Sequence, residues 1–146
     1  MKMVDTLVVE DNPGDARLIM EAFDGFAVEN KINVVPNGAE AMDYLYKNGK
    51  YKDVKTPHII ILDLNLPKKD GRSVLKEIKT DSSLRKIPVI VLTTSKDETD
   101  ICSSYMNYAN AYMTKPTDFD DFIDLINTFE SFWFSKVILP GCKDCK

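Results

Sequence analysis

The sequence predicts an α/β domain: a parallel sheet covered by helices on both faces. Three observations carry this. Five short strand-like runs recur at similar intervals, at Thr6–Val9, Ile32–Val35, Ile59–Leu62, Val89–Leu92 and Ala111–Met113. The third and fourth are apolar at every position, whereas a strand with one wet face would alternate. Helical patterns separate the runs, and such alternation builds a parallel sheet through right-handed crossovers.

The helices are justified one by one. The first opens at Asn12-Pro13, a capping side chain followed by proline at the first helical position, where its missing N–H costs nothing. Ala16, Ile19, Phe23 and Phe26 then follow at steps of three, four and three, marking one helical face. The second runs from about Asn37 with Ala41, Met42 and Leu45 inward, and the third carries Val74, Leu75 and Ile78. The fourth is expected to open with a capping box, Ser95-Lys96-Asp97-Glu98, and to continue through Ile101, Tyr105 and Tyr108. The fifth begins near Asp118 and carries Phe119, Phe122, Ile123 and Ile126.

Composition narrows the function classes. The chain has 146 residues, 44% hydrophobic and 29% charged, which suits one folded domain and argues against disorder. No uninterrupted apolar run exceeds four residues, far short of the roughly 20 a membrane span needs. Asp5 interrupts any secretory signal. The net charge of −4, without a basic stripe, argues against nucleic acid as a partner. Lys47, Lys50, Lys52 and Lys55 read as a solvated loop. Three cysteines, an odd number without a signal, point to a reducing cytoplasm.

In open parallel sheets ligands bind beyond the carboxyl ends of the strands. Just past the first strand stand Glu10 and Asp11; past the third, Asp63 and then Asn65. Past the fourth come Thr93 and Thr94, and past the fifth Lys115-Pro116. Crowded carboxylates repel unless a cation neutralises them, and oxygen-only ligands suit Mg2+. A metal alone would not require the lysine and threonine. An anion beside it would, and a phosphoryl group on Asp63 is such an anion.

The residues Val8-Val9-Glu10-Asp11-Asn12, Leu62-Asp63-Leu64-Asn65-Leu66-Pro67, Asp70-Gly71, Val91-Leu92-Thr93-Thr94 and Lys115-Pro116 resemble the receiver domains of the CheY-like response regulators. The resemblance covers residues 3 to 130, and the spacings of 30 from Asp63 to Thr93 and 22 from Thr93 to Lys115 match it. It implies a flavodoxin-like, doubly wound five-stranded sheet of order 2-1-3-4-5 with five helices. It also implies that Asp63 is the phosphoacceptor and that Mg2+ is held by Asp11, Asp63, the main-chain carbonyl of Asn65 and, through water, Glu10. Thr93 then resembles the switch hydroxyl, Lys115 the phosphate-pairing ammonium and Tyr112 the aromatic switch. The implied partner is a sensor histidine kinase. The long Asn48–His58 stretch, Asp11-Asn12-Pro13-Gly14-Asp15 and the aromatic ending are similar to the stand-alone regulators that partner cyanobacterial phytochromes.

Residues 1–133 are expected to form the receiver and 134–146 a short extension without an output domain. Phe129, Phe132, Trp133, Phe134, Val137, Ile138 and Leu139 are more apolar surface than one buried stripe needs, so a homodimer or partner contact is expected there. Cys142 and Cys145 form a C-x-x-C with too few companions for a structural zinc site and read as a thiol-bearing tail. His58 reads as structural. The enzyme alternative is a Mg2+-dependent phosphohydrolase with Asp63 as turnover nucleophile. It would need an acid two residues on, where Asn65 stands.

Overall fold

The structure is a computed structural model describing residues 3–141. Cys142 and Cys145 therefore lie outside the described residues. In chain order the elements are β1 (Val4–Val9), α1 (Pro13–Asp24), β2 (Asn30–Val35), α2 (Gly38–Tyr46), β3 (Ile59–Leu62), α3 (Gly71–Thr80), β4 (Val89–Thr93), α4 (Glu98–Met106), β5 (Ala111–Thr114) and α5 (Phe119–Phe129). The strands are all parallel in the order β2-β1-β3-β4-β5. This is the flavodoxin-like receiver arrangement.

The sheet separates two apolar layers, which explains why β3 and the first four residues of β4 have no polar position. Leu7, Val9, Ile60, Leu62, Val89 and Val91 face α2 and α3. Their neighbours Val8, Ile59, Ile61, Ile90 and Leu92 face the opposite layer, with Ile19 and Phe23 of α1 and Phe122 and Ile126 of α5. Successive side chains leave a strand on opposite faces, so a strand covered twice must be apolar throughout.

Asn12, Asn37, Asp70 and Asp118 each accept a backbone N–H of the first turn they precede. In α4 the cap is Asp97, which accepts from the Thr99 amide, rather than Ser95. Ser95 instead donates to the Asp100 carboxylate at 2.6 Å, so the expected capping box does not form. α4 ends at Met106 rather than continuing through Tyr108; Tyr105, Tyr108 and Phe119 are largely exposed, and α4 buries only Ser104. Within the long α2–β3 connection, Gly49–Tyr51 forms a single 3₁₀ turn, with Lys50 paired to Glu40 at 3.3 Å.

The aromatic ending divides in two. α5 runs into a π-helical turn, Glu130–Phe134. Its wider i→i+5 bonding returns Phe134 to the side of Phe129. Both are buried, Phe134 lying 5.6 Å from the Phe23 ring and 5.7 Å from that of Phe129. These two are core, a correction to their expected place on an interface, and the core extends one residue past the expected boundary at 133. Trp133 and Leu139 lean on the same layer, Val137 is half-buried, and Phe132 and Ile138 remain 53% and 95% exposed. His58 is structural as expected: its Nδ1 accepts the Asp5 N–H at 2.9 Å.

Candidate functional site

Three strand ends and one loop place the site. Glu10 follows β1, Asp63 follows β3 and Lys115 follows β5. Each is fixed by a ladder bond from its own amide: Glu10 to the Val35 carbonyl, Asp63 to that of Val9 and Lys115 to that of Thr93. All three side chains are buried. Charged groups are buried at this cost only when paired, and here they are. The Lys115 ammonium lies 2.6 Å from Glu10 Oε1, 2.9 Å from Asp63 Oδ2 and 3.0 Å from Asp15 Oδ2. Its three protons thus meet three carboxylates.

Asp63 Oδ1 accepts the Asn65 N–H at 3.1 Å and Glu10 Oε2 that of Asn12 at 3.2 Å. Asp11 stands exposed at the mouth, and oxygens of Glu10, Asp11 and Asp63 all lie within 4.8 Å of one another. Burial, with the Asp63 charge adding to it, pushes the Glu10 carboxyl up to about 7 against the opposing pull of Lys115. For Lys115, burial acts downward, but the bonds to Glu10 and Asp63 outweigh it and hold the ammonium above its ordinary range. An all-oxygen trio, one member of which is raised in proton affinity by burial and by the Asp63 charge, fits a hard divalent cation, which would compete with that proton.

Thr93 ends β4 fully buried, and its hydroxyl makes no hydrogen bond; among the described residues only Thr6 shares that condition. Thr94 is exposed. Tyr112 donates its hydroxyl to the Ser95 carbonyl at 3.0 Å, with its ring against the α2–α3 layer. Gly71 explains why α3 can start so close to the site. A Cβ there would lie 2.1 Å from the Asp63 carbonyl oxygen and 2.6 Å from Leu64 Cα.

The structure thus brings together Glu10, Asp11, Asp63 and Lys115, with Thr93 and the Asn65 backbone beside them. Sequence reasoning missed Asp15, whose position in the first turn of α1 reads as an ordinary helix-end acid. It also missed Arg72 and Asp100, which join α3 to α4 and carry no local signal.

Residues 6–127 match the response regulator receiver domain family, and the chain belongs to it. It is a receiver domain of two-component signalling, and the phosphohydrolase alternative finds no support. It is 42% identical over 135 residues to response regulator Rcp1 of Synechocystis sp., covering 92% of each chain. It is 39% identical over 136 residues to the probable methanogenesis regulatory protein FilR2 of Methanothrix harundinacea, covering 92% of this chain and 86% of that one. The crystal structure of the phosphorylated cyanobacterial phytochrome response regulator RcpA is similar to it with a TM-score of 0.93 at 44% identity, covering 96% of this chain and all of that one. The Mn(2+)-bound form of Rcp1 gives 0.92 at 41%, covering 94% and 99%.

Proposed function

We propose that this chain is a phosphoryl-accepting switch in which Asp63 takes the phosphoryl group of a sensor histidine kinase. The observation that carries this is a buried carboxylate, Asp63, bonded to a buried ammonium and flanked by the buried Glu10 and the exposed Asp11 at the carboxyl edge of the sheet. An Asp63 oxygen attacks phosphorus, the new O–P bond forms as the P–N bond to the donor histidine breaks, and the imidazole leaves. Lys115 offsets charge developing on the phosphoryl oxygens. Asp11, Asp63, the Asn65 carbonyl and, through water, Glu10 would hold Mg2+. When bound, the ion neutralises the acidic trio and the transferred group.

The product adds about −1.5 to −2 charges and three acceptors next to Thr93. The Thr93 hydroxyl, buried without a partner at a cost of about 1–3 kcal/mol, gains one by donating to a phosphoryl oxygen. Its turn frees space toward β5 for Tyr112, repacking the face made by α4, β5 and α5. Water attack on the acyl phosphate resets the chain. A phytochrome-type kinase is the favoured donor, because the relatives include phytochrome response regulators. The cytoplasm is the compartment this chemistry needs, and the acidic net charge favours protein partners over nucleic acid.

A homodimer is the proposed assembly, through Phe132 and Ile138 with the half-buried Trp133, Val137 and Leu139 around them. Residues beyond the buried Phe134 serve as its extension. With a small-molecule phosphodonor and Mg2+, mass spectrometry should show one added phosphoryl group on the wild type and none on Asp63→Ala. Phosphorylation of Asp63→Ala at the same rate would reject the assignment.

A further inference from the structure

Phosphoryl transfer to Asp63 leaves one charged group of the site without a task. Asp15 lies in the first turn of α1, where Pro13 sets the opening backbone and Asn12 Oδ1 accepts the Asp15 N–H at 3.0 Å. So held, its carboxylate crosses to the end of β5 and accepts from the Lys115 ammonium, Nζ to Oδ2 at 3.0 Å. The same nitrogen lies 2.9 Å from Asp63 Oδ2. The two carboxylate oxygens are therefore at most about 6 Å apart, well inside the range of direct Coulomb interaction. Asp15 nevertheless stands outside the trio of Glu10, Asp11 and Asp63 whose oxygens gather within 4.8 Å. Its side chain is 26% exposed, against 2% for Glu10 and 7% for Asp63, so it occupies the wet rim of a buried site. Lys115 is its only ion-pair partner among the described residues, and Glu10 and Asp63 share that partner.

We propose that Asp15 is an electrostatic counterweight that limits how tightly the site holds a phosphoryl group. This rests on the phosphoryl-switch reading above. Charge sets the direction. A divalent ion together with Lys115 matches the charge of the ionised trio; Asp15 adds a negative charge that nothing in the site matches. A phosphoryl ester on Asp63 replaces one negative charge by about two, so that excess bears harder on the product than on the free carboxylate. Hydrogen bonding acts in the same direction. Esterification releases the Lys115 proton that Asp63 holds, enough for one phosphoryl oxygen. A second phosphoryl oxygen reaches the ammonium only by displacing a carboxylate, and Asp15 is the one that water can resolvate. Asp15 makes no hydrogen bond to Glu10, Asp11 or Asp63 among the described residues. It acts through Lys115 and through its own field, as a positioning residue.

The test titrates beryllofluoride, a phosphoryl mimic, onto the full chain as wild type, Asp15→Asn and Asp15→Ala in saturating Mg2+, followed by fluorine NMR. Asparagine keeps an oxygen for Lys115 and loses only the charge, so half-saturation should tighten about three- to tenfold in Asp15→Asn. Asp15→Ala should tighten as well. Mn2+ affinity without beryllofluoride, read by water-proton relaxation, should move the other way and weaken about two- to fivefold, because a cation loses a negative neighbour. Opposite signs for anion and cation mark a charge effect, which a role in merely bracing Lys115 would not produce. Unchanged or weakened beryllofluoride binding in Asp15→Asn, or both ligands shifting in one direction, overturns the counterweight alone. A wild type that takes up no beryllofluoride overturns the phosphoryl reading and the counterweight with it. If Asp15→Ala loses its wild-type circular dichroism, the isosteric Asp15→Asn decides by itself.

Discussion

Replacing Thr6 by valine isolates the cost of one hydroxyl. Thr6 lies in the middle of β1, which β2 and β3 flank, opposite Ile32 and Ile59. It is 1% exposed, and its Oγ1 has no hydrogen-bond partner. An unpaired buried hydroxyl costs about 1–3 kcal/mol, and valine keeps the branched shape while replacing the oxygen by a methyl group. Thr6→Val should therefore stabilise the chain by about 1–2 kcal/mol, or about 3–6 °C in Tm for a domain of this size. Urea denaturation followed through Trp133, the one tryptophan in the sequence, measures this as a raised midpoint at constant m. An unchanged or lowered midpoint would refute the reasoning, because it would mean that the hydroxyl is satisfied in the native state. Thr93→Val removes the other orphan and should stabilise the resting chain by a similar amount. There the gain comes with a loss: beryllofluoride should no longer move Tyr112, as read by NMR. One residue type, in one environment, is waste in the strand centre and stored potential at the strand end.

Three further outcomes are expected. Gly71→Ala should cost about 3 kcal/mol or more by chemical denaturation, because its methyl would meet the Asp63 carbonyl and Leu64 backbone, which no side-chain rotation relieves. Phe134→Ala should cost about 3–5 kcal/mol through an aromatic cavity among Phe23, Phe26 and Phe129, whereas Phe132→Ala should leave stability within about 0.5 kcal/mol and lower the sedimentation mass toward monomer. The Asp100 carboxyl sits near 2 when folded, against an ordinary value of about 3.9, so between these pH values the unfolded chain binds more protons. The stability it contributes is complete above about pH 5 and is lost as pH falls toward 2. Asp100→Asn should be less stable than wild type at pH 6, with the gap narrowing by pH 3 in denaturation midpoints.

The sheet was legible because strand identity depends on local pattern. Ile59–Leu62 and Val89–Leu92 are apolar throughout for the reason their two-sided burial shows. α4 was misjudged for the converse reason. Tyr105 and Tyr108 sit at plausible helical spacing, yet Met106 ends the helix and Tyr108 adopts a φ of 68°, off the helical face. The aromatic ending misled similarly: counted along the chain, Phe129, Phe132, Trp133 and Phe134 exceed one α-helical stripe, but a π-turn changes the phase and takes Phe134 inward.

What the sequence by itself determined is the order of chemistry along the carboxyl edge. Once the strands are parallel, every residue that follows one lands on the same side, so Glu10, Asp11, Asp63, Thr93 and Lys115 had to converge. The tertiary structure alone decided who pairs with whom there. Asp15 reaches Lys115 across 100 positions, and Arg72 reaches Asp100 across 28. Such pairs depend on the distance between packed helices and on side-chain direction, neither of which has a period for a single segment to display.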